Sequence, residues 1–87
     1  METIILSHRV KEFNSWKKHF DADLPRRKAA GLKDLKVGRR SDDPNNVYLI
    51  FESSNPQGLQ KMLKDPDLKR VMDEAGVISA PEVIVLK

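Results

Sequence analysis

The run Val47–Phe51, "VYLIF", is apolar or aromatic at every position. Successive side chains of a strand point to opposite faces, so this run has something to bury on both sides. It belongs in the centre of a sheet that is covered twice. The chain has 87 residues, enough for a single domain over 1–87 and one core. A chain this short buries only about 60–65% of the surface its unfolded form exposes. One covering layer can come from the chain's own helices; the sequence leaves open what covers the second face.

The helices can be placed. Residues 3–10, "TIILSHRV", read as a first strand, after which the period changes. Phe13, Trp16, Phe20 and Leu24 recur at three- and four-residue steps, as on one helical face. Pro25 lacks the amide proton and crowds the preceding turn, which predicts a kink near Asp23. Asp23 then caps a short second piece that Gly31 ends. "LKDLKVGRR" reads as strand two, and "SDDPNN" as a turn with Pro44 at its second position. Strand three follows. Asn55 before Pro56 opens a second helix, Asp65 before Pro66 restarts it, and Gly76 closes it. Its apolar stripe is Leu59, Met62, Leu63, Leu68, Val71, Met72 and Ala75. "PEVIVLK" is the last strand.

The order β-α-β-β-α-β is that of an α+β ferredoxin-like domain. Two kinked helices cover one face of a four-stranded antiparallel sheet, with strands one and three in the middle. The other face then shows Ile50 together with either Ile4 and Leu6 or Ile5. A patch of that kind is expected to associate, and a two-fold homodimer packing sheet on sheet is the simplest closed solution.

Register sharpens the candidate residues. With Arg40 opposite Asn46, the set Leu35, Val37, Val47, Leu49 and Phe51 faces the helices, while Lys36, Gly38, Arg40, Tyr48, Ile50 and Glu52 face the open side. Tyr48 and Glu52, with Arg40 and His8, form the expected ligand-binding constellation. His8 lies near the end of a central strand, where an imidazole beside a cavity can exchange a proton or simply bond at the rim. Trp16 is expected to pack on the sheet, or to wall a pocket there with its indole N–H toward a ligand. His19 falls at the helix's edge. The histidine spacing matches no metal motif, and neither a metal nor a cofactor is expected.

"FESSNPQGLQKMLKDPDL", Phe51–Leu68, resembles a segment of the dimeric α+β barrel proteins of the antibiotic-biosynthesis-monooxygenase-like group. There a strand ends in Glu, a polar turn opens a helix bearing a small residue, and an acidic or hydroxyl residue plus Pro restarts it. Glu52, Asn55, Gly58, Asp65, Pro66 and Leu68 match that layout, and "HRVKEFNSWKKHF" is similar to the first strand and helix of small uncharacterised members. The resemblance implies the fold and the dimer. Where the group often carries an aromatic residue this chain has Ser54, and where it often carries a histidine this chain has Met62. Chemistry that depends on those groups is therefore not implied, and only the placement of Glu52 carries over.

Composition sets the remaining bounds. No cysteine is present, which excludes disulfides, thiolate ligands and cysteine nucleophiles and agrees with a reducing cytoplasm. The N-terminus is apolar over only three consecutive residues, too few for a signal peptide or a membrane span, so a cytoplasmic protein is expected. Up to Arg40 there are eleven Lys/Arg against five Asp/Glu, and from Ser41 five against eight. That asymmetry suits a solvated helix surface, or a basic half docking on an acidic one. The RNA-recognition module shares this fold but stacks bases on two or three sheet aromatics; Tyr48 alone argues against nucleic acid. The expected function is a homodimer binding a small, partly apolar organic molecule, with cyclase-like or cofactorless-monooxygenase-like chemistry as its enzymatic version. The alternative is a non-catalytic interaction or regulatory dimer.

Overall fold

The computed structural model describes residues 1–87, the side chain at position 56 excepted. The elements are β1 (Glu2–Arg9), α1 (Phe13–Ala22), α2 (Leu24–Ala29), β2 (Leu32–Arg40), β3 (Asp43–Ser53), α3 (Pro56–Lys64), α4 (Pro66–Glu74) and β4 (Glu82–Leu86). All strand pairs are antiparallel, in the order β2-β3-β1-β4. This is the ferredoxin-like arrangement, with β1 and β3 central and each helix broken in two.

Local chemistry explains the breaks. α1 stops one residue before Leu24-Pro25, and Gly31 at φ 80° ends α2. Asn55 accepts from the Gln57 amide at 3.2 Å and Asp65 from the Asp67 amide at 2.9 Å, capping α3 and α4. Asp23, by contrast, makes no side-chain cap; its carboxylate is held by Arg26. Glu12 caps α1 instead, accepting from Asn14 and Ser15 amides at 2.9 and 2.6 Å. These amides hold its carboxyl below the usual carboxylate range. Gly58 stands where α3 crosses the end of α2. A Cβ there would lie 2.0 Å from the Ala30 carbonyl oxygen, so only glycine fits. Gly58→Ala should cost about 2 kcal/mol in urea unfolding, the usual penalty for forcing packed elements apart.

The helix side of the sheet is Ile4, Leu6 and His8 from β1 with Val47, Leu49, Phe51 and Ser53 from β3, all buried. Ile5 pairs with Ile50 and with Ile84, placing these three on the opposite face. The expected β2–β3 register holds from Lys36 to Arg39 but fails at both ends. Arg40 pairs with Asp43, not Asn46, because the hairpin turns at Ser41–Asp42 and Pro44 lies within β3. A bulge between Asp34 and Lys36 leaves Leu35 without a partner and 48% exposed, where the helix side was expected for it. The extra residue changes the phase of the strand. It allows Leu32 and Asp34 to face the helices before it, and Val37 and Arg39 after it.

Charge asymmetry between the two halves is partly satisfied inside the chain. Arg26 bonds Asp23 at the α1–α2 joint, Asp65 at the α3–α4 joint (2.7 Å), and Asp67. One guanidinium thus ties the two broken helices together. No described helix is long and apolar enough to cross a membrane.

Candidate functional site

A cleft of about 70 Å³ opens between the helix side of the sheet and the two helix pairs. Its floor is Leu6 and His8 of β1 with Leu49 and Phe51 of β3. α1 and α2 supply Trp16, His19, Phe20 and Arg27, and the far wall includes Met62 and Met72. Strand alternation sets the floor: the phase that buries Ile4 and Leu6 also carries His8 inward. Helical spacing sets the near wall, where Trp16 and Phe20 stack at 5.0 Å between ring centroids.

His8 is the unusual member. It is 5% exposed and meets Trp16 edge-on at 5.5 Å. Neither of its ring nitrogens has a hydrogen-bond partner among the described residues. Burial drives its pKa down from 6.5 to about 4, because an apolar cleft disfavours the charged ring. At neutral pH it is therefore an uncharged imidazole with one donor and one acceptor unused. Buried polar groups are nearly always paired, and one left unpaired costs about 1–3 kcal/mol.

The other polar wall groups are occupied. Arg27, 5% exposed, holds both oxygens of Asp34 at 3.0 Å and donates to the Phe20 carbonyl at 2.7 Å. Its guanidinium carbon lies 3.6 Å from the centre of the Phe20 ring. His19 Nδ1 lies 3.0 Å from the Ser15 carbonyl oxygen. Among the described residues no group of three or more His, Asp or Glu is placed to hold a metal ion.

The sheet divides the expected constellation. His8 and Trp16 meet in the cleft, whereas Arg40, Tyr48 and Glu52 belong to the opposite, open face. His8 thus cannot act with Tyr48 and Glu52, because its register partner is Val47, a helix-side residue. Arg40 and Tyr48 do come together, lining a shallow groove of about 220 Å³ with Lys36 and Ile50. Hydrogen bonds to Asp42 and then Tyr48 push the Arg40 pKa above its ordinary value. Glu52 lies on that face but outside the groove lining. Arg27 and His19 were missed as cleft residues. The basic run "PRRK" reads as a solvated helix surface, and nothing local marks one of its arginines as buried.

The sequence matches, over residues 1–84, the family described as Domain of unknown function (DUF3764). The chain belongs to that family. No curated protein matches it in sequence. Solved structures place the fold of this family member. A Bordetella bronchiseptica protein carrying the name antibiotic biosynthesis monooxygenase superposes with a TM-score of 0.76 at 13% identity, over 99% of this chain and 94% of that one. A Caulobacter crescentus protein of the same name gives 0.72 at 13%, over 98% and 86%. SnoaB, a cofactor-independent oxygenase from Streptomyces nogalater, gives 0.70 at 14%, over 95% and 89%. The resemblance seen in Phe51–Leu68 is thus a likeness of the whole fold. Of the six residues that carried it, Gly58, Asn55 and Asp65 have structural reasons of their own. Met62 stands in the cleft wall.

Proposed function

We propose that the protein binds a small, partly apolar organic molecule in the cleft beneath its sheet and works as a homodimer. His8 carries the binding half. A buried imidazole with two idle nitrogens, in a cleft whose other polar wall groups are already partnered, costs stability and is accounted for when a ligand supplies the missing partner. The dimer half is supported by the open face. Ile84 and Leu86 are 53% and 48% exposed there, beside Ile5, Ile50 and Tyr48. A second copy of the sheet would bury them all.

Oxygenase-like or cyclase-like chemistry is the enzymatic form of this reading. Its support is likeness of fold, since the relative named as a cofactor-independent oxygenase is 14% identical. Binding without chemistry is favoured by one observation: the charged groups of the cleft wall, Asp23 and Arg27, are both paired.

Trp16 is the chain's only tryptophan and stands in the cleft, so its emission reports occupancy. A panel of single-ring and fused-ring compounds should include at least one class that shifts that emission and raises the melting temperature. Saturation a hundred-fold above Kd is worth about 2.7 kcal/mol of stability. No response to any class would overturn the binding reading. Ultracentrifugation at micromolar concentration should find a dimer; a folded monomer would remove that half.

A further inference from the structure

If the cleft is the binding site, its polar groups specify the charge of what enters. Each full charge on the wall already has its counter-charge. Asp23 is held by Arg26 through two contacts of 3.0 and 3.2 Å. Arg27 is held by Asp34, and one face of its guanidinium is covered by Phe20. Among the described residues, α3, α4 and the residue capping α4 line the cleft with apolar side chains only, Met62, Leu63, Leu68, Val71, Met72 and Ala75. An anion entering here would lose its hydration and find no uncompensated cation, and a cation would find no free carboxylate. What the floor of the cleft offers is His8, whose ring has one nitrogen able to accept and one able to donate and neither engaged, whereas His19 in the wall is already held to the Ser15 carbonyl through Nδ1.

We infer that the cleft selects an uncharged molecule whose apolar body lies against Trp16, Phe20, Met62 and Met72 and whose hydroxyl or N–H head donates to the His8 ring. Carboxylates of the same size are turned away. The size of the space limits what can be enclosed. About 70 Å³ is less than the roughly 150 Å³ of a dry cavity known to hold benzene. The ligand therefore inserts head first and leaves its remainder toward the open mouth, with the flexible methionines adjusting around it. His8 is a specificity-determining residue in this scheme. Because the ring is neutral at pH 7, the head group keeps its own proton.

Three matched probes test this at pH 7: phenol, toluene and benzoate, titrated by NMR against the whole chain and against His8→Leu, with His8→Met as a second apolar variant. Phenol should bind the wild type, displace the His8 ring-nitrogen resonances, and lose about ten-fold in affinity in either variant. Toluene should change less than two-fold between wild type and variants, which isolates the hydrogen bond from the apolar contact. Benzoate should bind at least a hundred-fold more weakly than phenol. Equal losses for phenol and toluene, or benzoate binding as tightly as phenol, would overturn this selectivity while leaving the cleft as a binding site. Absence of binding by all three probes would overturn the selectivity, and the cleft reading beneath it falls as well when the wider panel also leaves Trp16 emission unchanged. A panel compound that shifts Trp16 emission but binds His8→Leu unchanged would leave the cleft standing and remove His8 alone.

Discussion

Asp34→Ala should melt about 15 °C below the wild type. The substitution leaves the Arg27 guanidinium, 5% exposed, with only the Phe20 carbonyl and ring as partners. An ion stranded in that way costs about 3–5 kcal/mol. The lower end applies here, because the side chain of Asp34 is 30% exposed and the gap it leaves admits water. At about 5 °C per kcal/mol for a domain of this size, 3 kcal/mol gives the stated shift. The reverse change is milder. Arg27→Met leaves a carboxylate that can turn to solvent, and should cost about 1 kcal/mol. The two melting temperatures, measured at one protein concentration, check the asymmetry. Equal losses would mean that the pair contributes as a unit and that solvent access of the survivor does not matter.

Wild-type stability should also fall by about 2 kcal/mol between pH 7 and pH 5. Unfolded His8 takes up its proton near 6.5, whereas in the folded protein it does so only near pH 4. Between these values the unfolded state binds more protons, so the His8 contribution declines as pH drops through the window and levels off below it, where the depressed carboxylates Glu12, Asp42 and Asp67 take over the loss. The full gap is worth about 3 kcal/mol. Of the other titratable groups on the cleft, His19 already bonds a backbone carbonyl from outside the floor, and Asp23 and Arg27 are paired. Urea unfolding at closely spaced pH values reads the slope directly. A flat profile from pH 7 to 5 would mean that His8 can be protonated in place.

Much of the fold is legible in the chain because its signals are local. Pro25, Gly31, Asn55, Asp65 and Gly76 each act within a few residues, and the structure starts, breaks or ends a helix at each of the five. The stretch "VYLIF" sets β3 in the centre by itself. What escapes is set at a distance. Leu35 and Val37 alternate as if they shared a face, yet the bulge reverses the phase so that Leu32 can be buried and Asp34 can reach Arg27. That exchange depends on α2, seven residues away in sequence and on another element. Likewise nothing in "TIILSHRV" says which alternating set goes inward. The same ambiguity that left Ile4 with Leu6 or Ile5 on the open face also hid the side of the sheet to which His8 belongs. Arg40, Tyr48 and Glu52 share the open face, with Glu52 outside the groove that the other two line, and His8 lies on the opposite face.

Ligand binding in the cleft requires that His8 be kept there for something other than stability. Side-by-side urea unfolding of wild type and His8→Leu, at pH 7 and pH 5, bears on this most directly. The variant should be the more stable at pH 7 by about 1–2 kcal/mol, since an unpaired polar group has been removed. The margin should be about 2 kcal/mol wider at pH 5, where the wild type loses what the variant cannot. A variant less stable than the wild type at pH 7 would make His8 an ordinary structural residue and contradict the central claim.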